Sequence, residues 1–119
     1  MTGEDGREAP QAAPERPGAR FALGHLVHHR RFDYRGVIFD VDATFQGTEE
    51  WYEEMARSRP PKDRPWYHVL VHDAQHTTYV AERNLEADAS QEPIRHPLLE
   101  HLFDEFSEGH YRSTRRNAH

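Results

Sequence analysis

Residues 21–42, FALGHLVHHRRFDYRGVIFDVD, constrain the fold most: two short apolar runs flank a polar turn, and a glycine stands inside the second run. There Val37, Phe39 and Val41 alternate with Gly36, Ile38 and Asp40, the period of two that a pleated strand imposes. The pattern predicts a hairpin with strands over 24–29 and 34–41 and a turn over 30–33. Gly36 marks a bulge or close packing of the bent second strand in preference to a ligand contact.

Further along, residues 66–73 (WYHVLVHD) set Tyr67, Val69 and Val71 against Trp66, His68, Leu70 and His72, the third strand and the first of a second hairpin. A tight turn at 74–76 leads into TTYVA at 77–81, β-branched and aromatic enough for the fourth strand, which completes the second hairpin. Between the hairpins, Thr48 is placed to cap a short helix with Glu49 and Glu50 in its first turn, and Pro60 and Pro61 end it. On that helix Trp51, Tyr52 and Met55 make an apolar stripe, while Glu49, Glu50, Glu53 and Glu54 form an acidic ridge. Residues 86–93 are polar and poorly periodic. A last helix is expected over 96–109, with Leu98, Leu99, Leu102, Phe103 and Phe106 on one face and Gly109 as its stop. That face either caps the sheet or docks on another protein.

The expected fold is mainly β, a small barrel with a short inserted helix and a C-terminal helix. With 119 residues there is room for one such domain. Residues 1–20 carry no aromatic or β-branched residue apart from Thr2 and read as a disordered tail. The domain then occupies 21–111, and 112–119 reads as a basic flexible tail. The absence of cysteine removes disulfides, zinc ribbons and thiol nucleophiles, and points to a cytoplasmic setting. No apolar run approaches the ~20 residues of a membrane span, so no membrane partner is expected.

Net charge is −6, and residues 21–90 hold eight basic against twelve acidic residues. A field of that sign repels polyphosphate and favours basic partners. One local exception is the first hairpin, where His28, His29, Arg30, Arg31 and Arg35 make a candidate patch for DNA phosphates. For Arg35, pairing with Asp33 or Asp40 is the favoured role, and reaching a phosphate or a partner's carboxylate the alternative. The acidic ridge of Glu49, Glu50, Glu53 and Glu54 is the candidate protein-partner surface.

Enzymatic signals are weak. Asp40 and Asp42 share a strand face about 6.6 Å apart, a spacing that paired-carboxylate chemistry uses but that strand ends also produce. None of Ser58, Ser90, Ser107 and Ser113 has a nucleophile's glycine-elbow context, and no glycine-rich phosphate loop is present. His68 and His72 share a face but lie about 13 Å apart, too far for one ion, so a metal would need His28 or His29 brought to His68 from another strand. No catalytic residue, cofactor or metal is expected. Gly36, Val37, Trp51, Trp66, Tyr67 and Tyr79 are read as structural core, although Trp51, Tyr52, Trp66 and Tyr67 also suit an aromatic binding surface.

The order of these motifs resembles the HspQ family, also called YccV-like or hemimethylated-DNA-binding. The likeness is carried by LGHLVHHRRFDYRGVIFDVD at 23–42, EEWYEEMARSRPPKDRPWYHVLVHD at 49–73, TYVAERNL at 78–85 and EPIRHPLLEHLFDEFSEGHY at 92–111. It implies an SH3-like β-barrel, no enzymatic activity, and one of two roles. The first is to modulate degradation by the ATP-dependent protease Lon in the heat-shock response. The second is to bind hemimethylated DNA. A homo-oligomer is compatible with either. The charge balance ranks the protease role above the DNA role.

Overall fold

The computed structural model describes residues 18–113. Of the expected tails at 1–20 and 112–119, residues 1–17 and 114–119 lie outside the described residues. Strands β1 (Leu26–His29) and β2 (Arg35–Asp42) form the predicted first hairpin, and β3 (Trp66–Val71) and β4 (Thr77–Ala81) the second. Helix α1 (Glu49–Met55) lies between them, capped as anticipated: the Thr48 hydroxyl accepts from the Trp51 N–H at 3.0 Å. A single 3-10 turn, Glu82–Asn84, follows β4 and delivers the chain to β5 (Leu85–Ala87). One helical turn, α2 (Leu99–Leu102), precedes a closing hairpin of β6 (Glu105–Ser107) and β7 (His110–Arg112).

The five strands form one antiparallel sheet in the order β4-β3-β2-β1-β5. Laid flat, its edges would stand roughly 19 Å apart, four spacings of a ladder. The chain from Ala81 to Leu85 reaches at most about 14 Å, so the sheet must curl to bring β5 toward β4. No ladder joins these two strands, and the expected barrel is not closed by hydrogen bonds among the described residues.

Curling gives the sheet an inside and an outside. Inside, Phe21, Val27, Ile38, Val41, Tyr67, Val69, Val80 and Leu85 pack together with Ala19. Outside, Leu26, Val37, Leu70, Ile94, Phe103 and Tyr111 join the closing hairpin to the sheet. A third cluster of Tyr52, Ala56, Trp66 and Ala81 seats α1. Strand β3 sends Val69 inward and Leu70 outward, which explains why both of its alternating sets are apolar. Each such fully buried aliphatic residue stabilises the fold by about 1.5–3 kcal/mol.

Gly36 sits at a close approach. A Cβ there would lie 2.5 Å from both the Leu70 carbonyl oxygen and a Val69 methyl across the ladder. The bulge is elsewhere, where the β2–β3 register shifts between Ile38 and Asp40. That shift places Ile38 and Val41, three residues apart, in the same inner cluster, which strict alternation forbids.

Four expectations are corrected. The helix over 96–109 shrinks to α2, because Glu108 and Gly109 both take positive φ (53° and 73°) and turn the chain into a hairpin. The apolar positions that mimicked a helix face still pack on the outer cluster, so a helical period was drawn by residues that share one packing surface. The polar stretch after 85 contains β5, too short to show alternation. The apolar stripe of α1 is Tyr52 and Ala56 with Trp51 half-buried, while Met55 is 61% exposed. Finally, the fold begins before Phe21, since Ala19 is buried and the Arg20 N–H bonds the Tyr67 hydroxyl at 3.0 Å, and Arg112 belongs to β7.

Candidate functional site

The first hairpin carries the expected basic patch, but most of its charge is spent internally. His28 reaches from β1 to Asp33 (Nε2, 2.6 Å) and to Glu86 of the neighbouring β5 (Nδ1, 2.8 Å), and these two carboxylates raise its pKa. His29 is buried beneath the turn, where its Nδ1 accepts the Arg31 and Phe32 N–H groups, both at 3.1 Å. Burial lowers its pKa, so it stays neutral where His28 is charged. Arg35 neither meets Asp33 nor Asp40. Its Nε donates to Asp88 at 2.9 Å and its Nη2 to the Glu92 carbonyl, pinning the segment after β5 to the start of β2. Of the five residues only Arg30 and Arg31 remain as exposed cations, beside Phe32, which is 71% exposed at the tip.

The acidic ridge is trimmed as well, though less completely. Lys62 Nζ bonds Glu49 at 2.6 Å, and the Arg59 guanidinium bonds Glu53 at 3.1 Å and holds its carboxyl below the usual range. Glu50 and Glu54, one helical turn apart, keep carboxylates with no hydrogen bond or ion pair to a described residue. The ridge borders a shallow depression lined by Glu49, Glu50, Glu53, Glu54 and Arg57. Exposed Met55 follows Glu54 in the helix.

The residues read as core divide by depth. Val37, Trp66 and Tyr67 are buried, and Trp51 and Tyr79 are half-buried around the α1 cluster. Trp66 is surrounded by the rings of Phe45, Trp51, Tyr52 and Tyr79 at centroid distances of 4.9–6.3 Å and donates its indole N–H to the Pro61 carbonyl at 3.1 Å. These aromatics therefore bind α1 and its loops to the sheet, and no open aromatic platform is formed by Trp66 or Tyr67.

One constellation was not legible in the linear pattern. The β2–β3 register sets His68 opposite Asp40 and beside Asp42, so that one ligand atom from each of the three lies within 4.8 Å of the others. Tyr79, from β4, donates to Asp42 Oδ2 at 2.6 Å, and His68 Nε2 lies 3.2 Å from the same oxygen. Burial and the Asp42 carboxylate push the Tyr79 phenol pKa upward. These are the described residues best placed to hold a divalent cation. Asp42 Oδ2, however, is already engaged by the Tyr79 hydroxyl and His68. The histidines did not gather as the alternative metal reading required, since His28 faces Asp33 and Glu86 while His68 faces Asp40 and Asp42.

The geometry defines a small curled β-domain with charged surfaces for contact. Residues 19–110 match the family described as "Hemimethylated DNA-binding protein YccV like", and the chain belongs to that family. It is also similar to F-box only protein 21 from Homo sapiens, Pongo abelii and Mus musculus, at 33% identity over 93 residues in each case. That alignment covers 76% of this chain and 15% of the relatives, so the chain spans a small fraction of their length.

Proposed function

We propose that this chain is a non-catalytic, cytoplasmic binding module that modulates degradation by the ATP-dependent protease Lon under stress, meeting a basic protein surface through α1. The single observation that carries the choice of surface is the contrast between two charged faces. On α1 the carboxylates of Glu50 and Glu54 stay available beside exposed Met55, whereas on the first hairpin three of five basic residues are neutralised or buried. Rim charges of this kind steer encounter and choose partners more than they add affinity. Membership of a family with small domains, and similarity to a short stretch of much longer F-box only proteins, support the module reading. The curled sheet is read as an SH3-like barrel left open between β4 and β5.

The test is Lon-dependent degradation of an unstructured substrate with the wild-type chain, Glu50→Lys with Glu54→Lys, or no addition. Altered turnover that is lost in the double variant supports the reading, and turnover indifferent to the protein refutes it.

A second reading, binding of hemimethylated DNA, is favoured by the family's description and by Arg30, Arg31 and Phe32 projecting from the hairpin tip. Fluorescence anisotropy with hemimethylated and unmethylated duplexes at physiological salt distinguishes it: methylation-dependent binding that Arg30→Glu with Arg31→Glu abolishes would replace the first reading.

A further inference from the structure

Three arginines from distant parts of the sequence converge on one cleft. Arg20 enters the fold just before Phe21, Arg64 precedes Pro65 in the loop after α1, and Arg83 lies in the 3-10 turn. Two hydrogen bonds through Glu82 tie these segments together. The Arg20 N–H donates to Glu82 Oε2 at 2.8 Å, and the Glu82 N–H donates to the Pro65 carbonyl at 3.1 Å. The result is a cleft of about 270 Å³ lined by Arg20, Pro61, Arg64, Ala81, Glu82 and Arg83.

Like Arg30 and Arg31 on the first hairpin, these three arginines have no carboxylate partner among the described residues, but unlike that pair they line a cleft. Arg35, Arg59 and Arg95 each pair with an acid, Asp88, Glu53 and Asp73. Within the cleft, the Arg20 guanidinium lies over the Phe21 ring at 4.9 Å, Arg83 donates to the neutral Ser58 carbonyl at 2.6 Å, and Arg64 has no bonded or ionic partner among the described residues. The one carboxylate of the lining, Glu82, directs Oε2 to the Tyr67 hydroxyl at 2.6 Å and to the Arg20 N–H, so it serves the wall. Three guanidiniums and one carboxylate leave the lining at +2 in a chain whose net charge is −6.

We infer that this cleft is a binding site for a phosphate-monoester dianion. A monoester carries about −1.5 to −2 at neutral pH and matches the lining, whereas a carboxylate or a nucleic-acid backbone phosphodiester brings a single charge per group. Guanidinium forks suit its oxygens, since each can donate two parallel N–H bonds to one phosphate. The inference is independent of the acidic face of α1, from which neither Glu50 nor Glu54 enters the cleft.

The test is a titration of the full chain, followed by backbone amide NMR shifts at Ala81, Glu82 and Arg83. It is run at constant ionic strength with inorganic phosphate, with adenosine monophosphate, and with a duplex lacking terminal phosphates. Arg64→Gln is the principal variant, because the Arg64 side chain bonds no described residue, and Arg20→Gln is the second. The expected result is saturable shifts with phosphate or the nucleotide that weaken at least tenfold in Arg64→Gln at unchanged melting temperature. Saturation by phosphate alone assigns the site to the free ion, and saturation by both extends it to organic monoesters. No saturable shift at millimolar phosphate overturns the inference, as does binding that both variants leave unchanged. Equal shifts with the end-unphosphorylated duplex also overturn it, since they make the cleft a phosphodiester contact.

Discussion

Gly24 lies so close to Tyr111 that a Cβ on it would stand 1.9 Å from the Tyr111 carbonyl oxygen. Its φ of +89° adds a second requirement for glycine. The contact is reciprocal: the Tyr111 N–H donates to the Gly24 carbonyl at 3.0 Å, and His25 bridges His110 alongside. Through this seam the closing hairpin is joined to the entrance of β1.

Gly24→Ala is therefore expected to destabilise the fold by roughly 2–4 kcal/mol, at the severe end for a single substitution. Equilibrium urea unfolding measures it. A loss under 0.5 kcal/mol would mean that the seam is not formed in solution.

Trp66→Ala removes the ring that four other aromatics surround. At 1% exposure the expected loss is about 3–5 kcal/mol, enough to unfold a domain of this size or leave it marginal. Far-UV and near-UV circular dichroism report it, and a folded variant with an unchanged melting temperature contradicts the packing described.

Arg35 and the Arg30, Arg31 pair should part ways. Arg35→Ala leaves Asp88, whose side chain is only 7% exposed, without its cation, and an expected cost of roughly 1–3 kcal/mol follows. Arg30→Glu with Arg31→Glu touches exposed side chains and is expected to stay within about 0.5 kcal/mol of wild type per site. Paired denaturation curves check both statements. Equal effects would place Arg35 among the free surface charges.

Mild acid should weaken the fold. Burial lowers the pKa values of His25, His29 and His110 below the ordinary 6.5. Below 6.5 the unfolded chain takes up protons at these positions before the folded chain does, so stability falls as pH drops from 6.5 toward the lowered values. The geometry gives the reason: protonated Nδ1 atoms on His25 and His29 would face the N–H groups of Ala22, Arg31 and Phe32. His28, with its raised pKa, works in the opposite direction: its contribution is complete below 6.5 and is lost as pH rises through the folded value. Three groups oppose one, so the urea midpoint is expected to be lower at pH 5.5 than at pH 7.5. A flat profile, or one that rises toward acid, would contradict the buried positions of these rings.

Local chemistry determined much of this protein from its sequence alone. Alternation in 66–71 and 77–81, the Thr48 cap and the sacrificed side chain at Gly36 are properties of neighbouring residues, and each reappears in β3, β4, α1 and the β2–β3 approach. The ordered motifs likewise carried the family resemblance, which the match over 19–110 bears out. Tertiary structure decided what depends on partners far along the chain. Leu99, Leu102, Phe103 and Phe106 have helical spacing, yet the positive φ values at Glu108 and Gly109 and the docking of Tyr111 at Gly24 favour a hairpin over a helix. Charge followed the same rule. His28 reads as an available cation and Arg35 as a partner of Asp33 or Asp40, until Glu86 and Asp88, more than fifty positions away, take them instead. The meetings of His68 with Asp40 and Asp42, and of Arg20 with Arg64 and Arg83, arise from strand register and chain return, which no local pattern encodes.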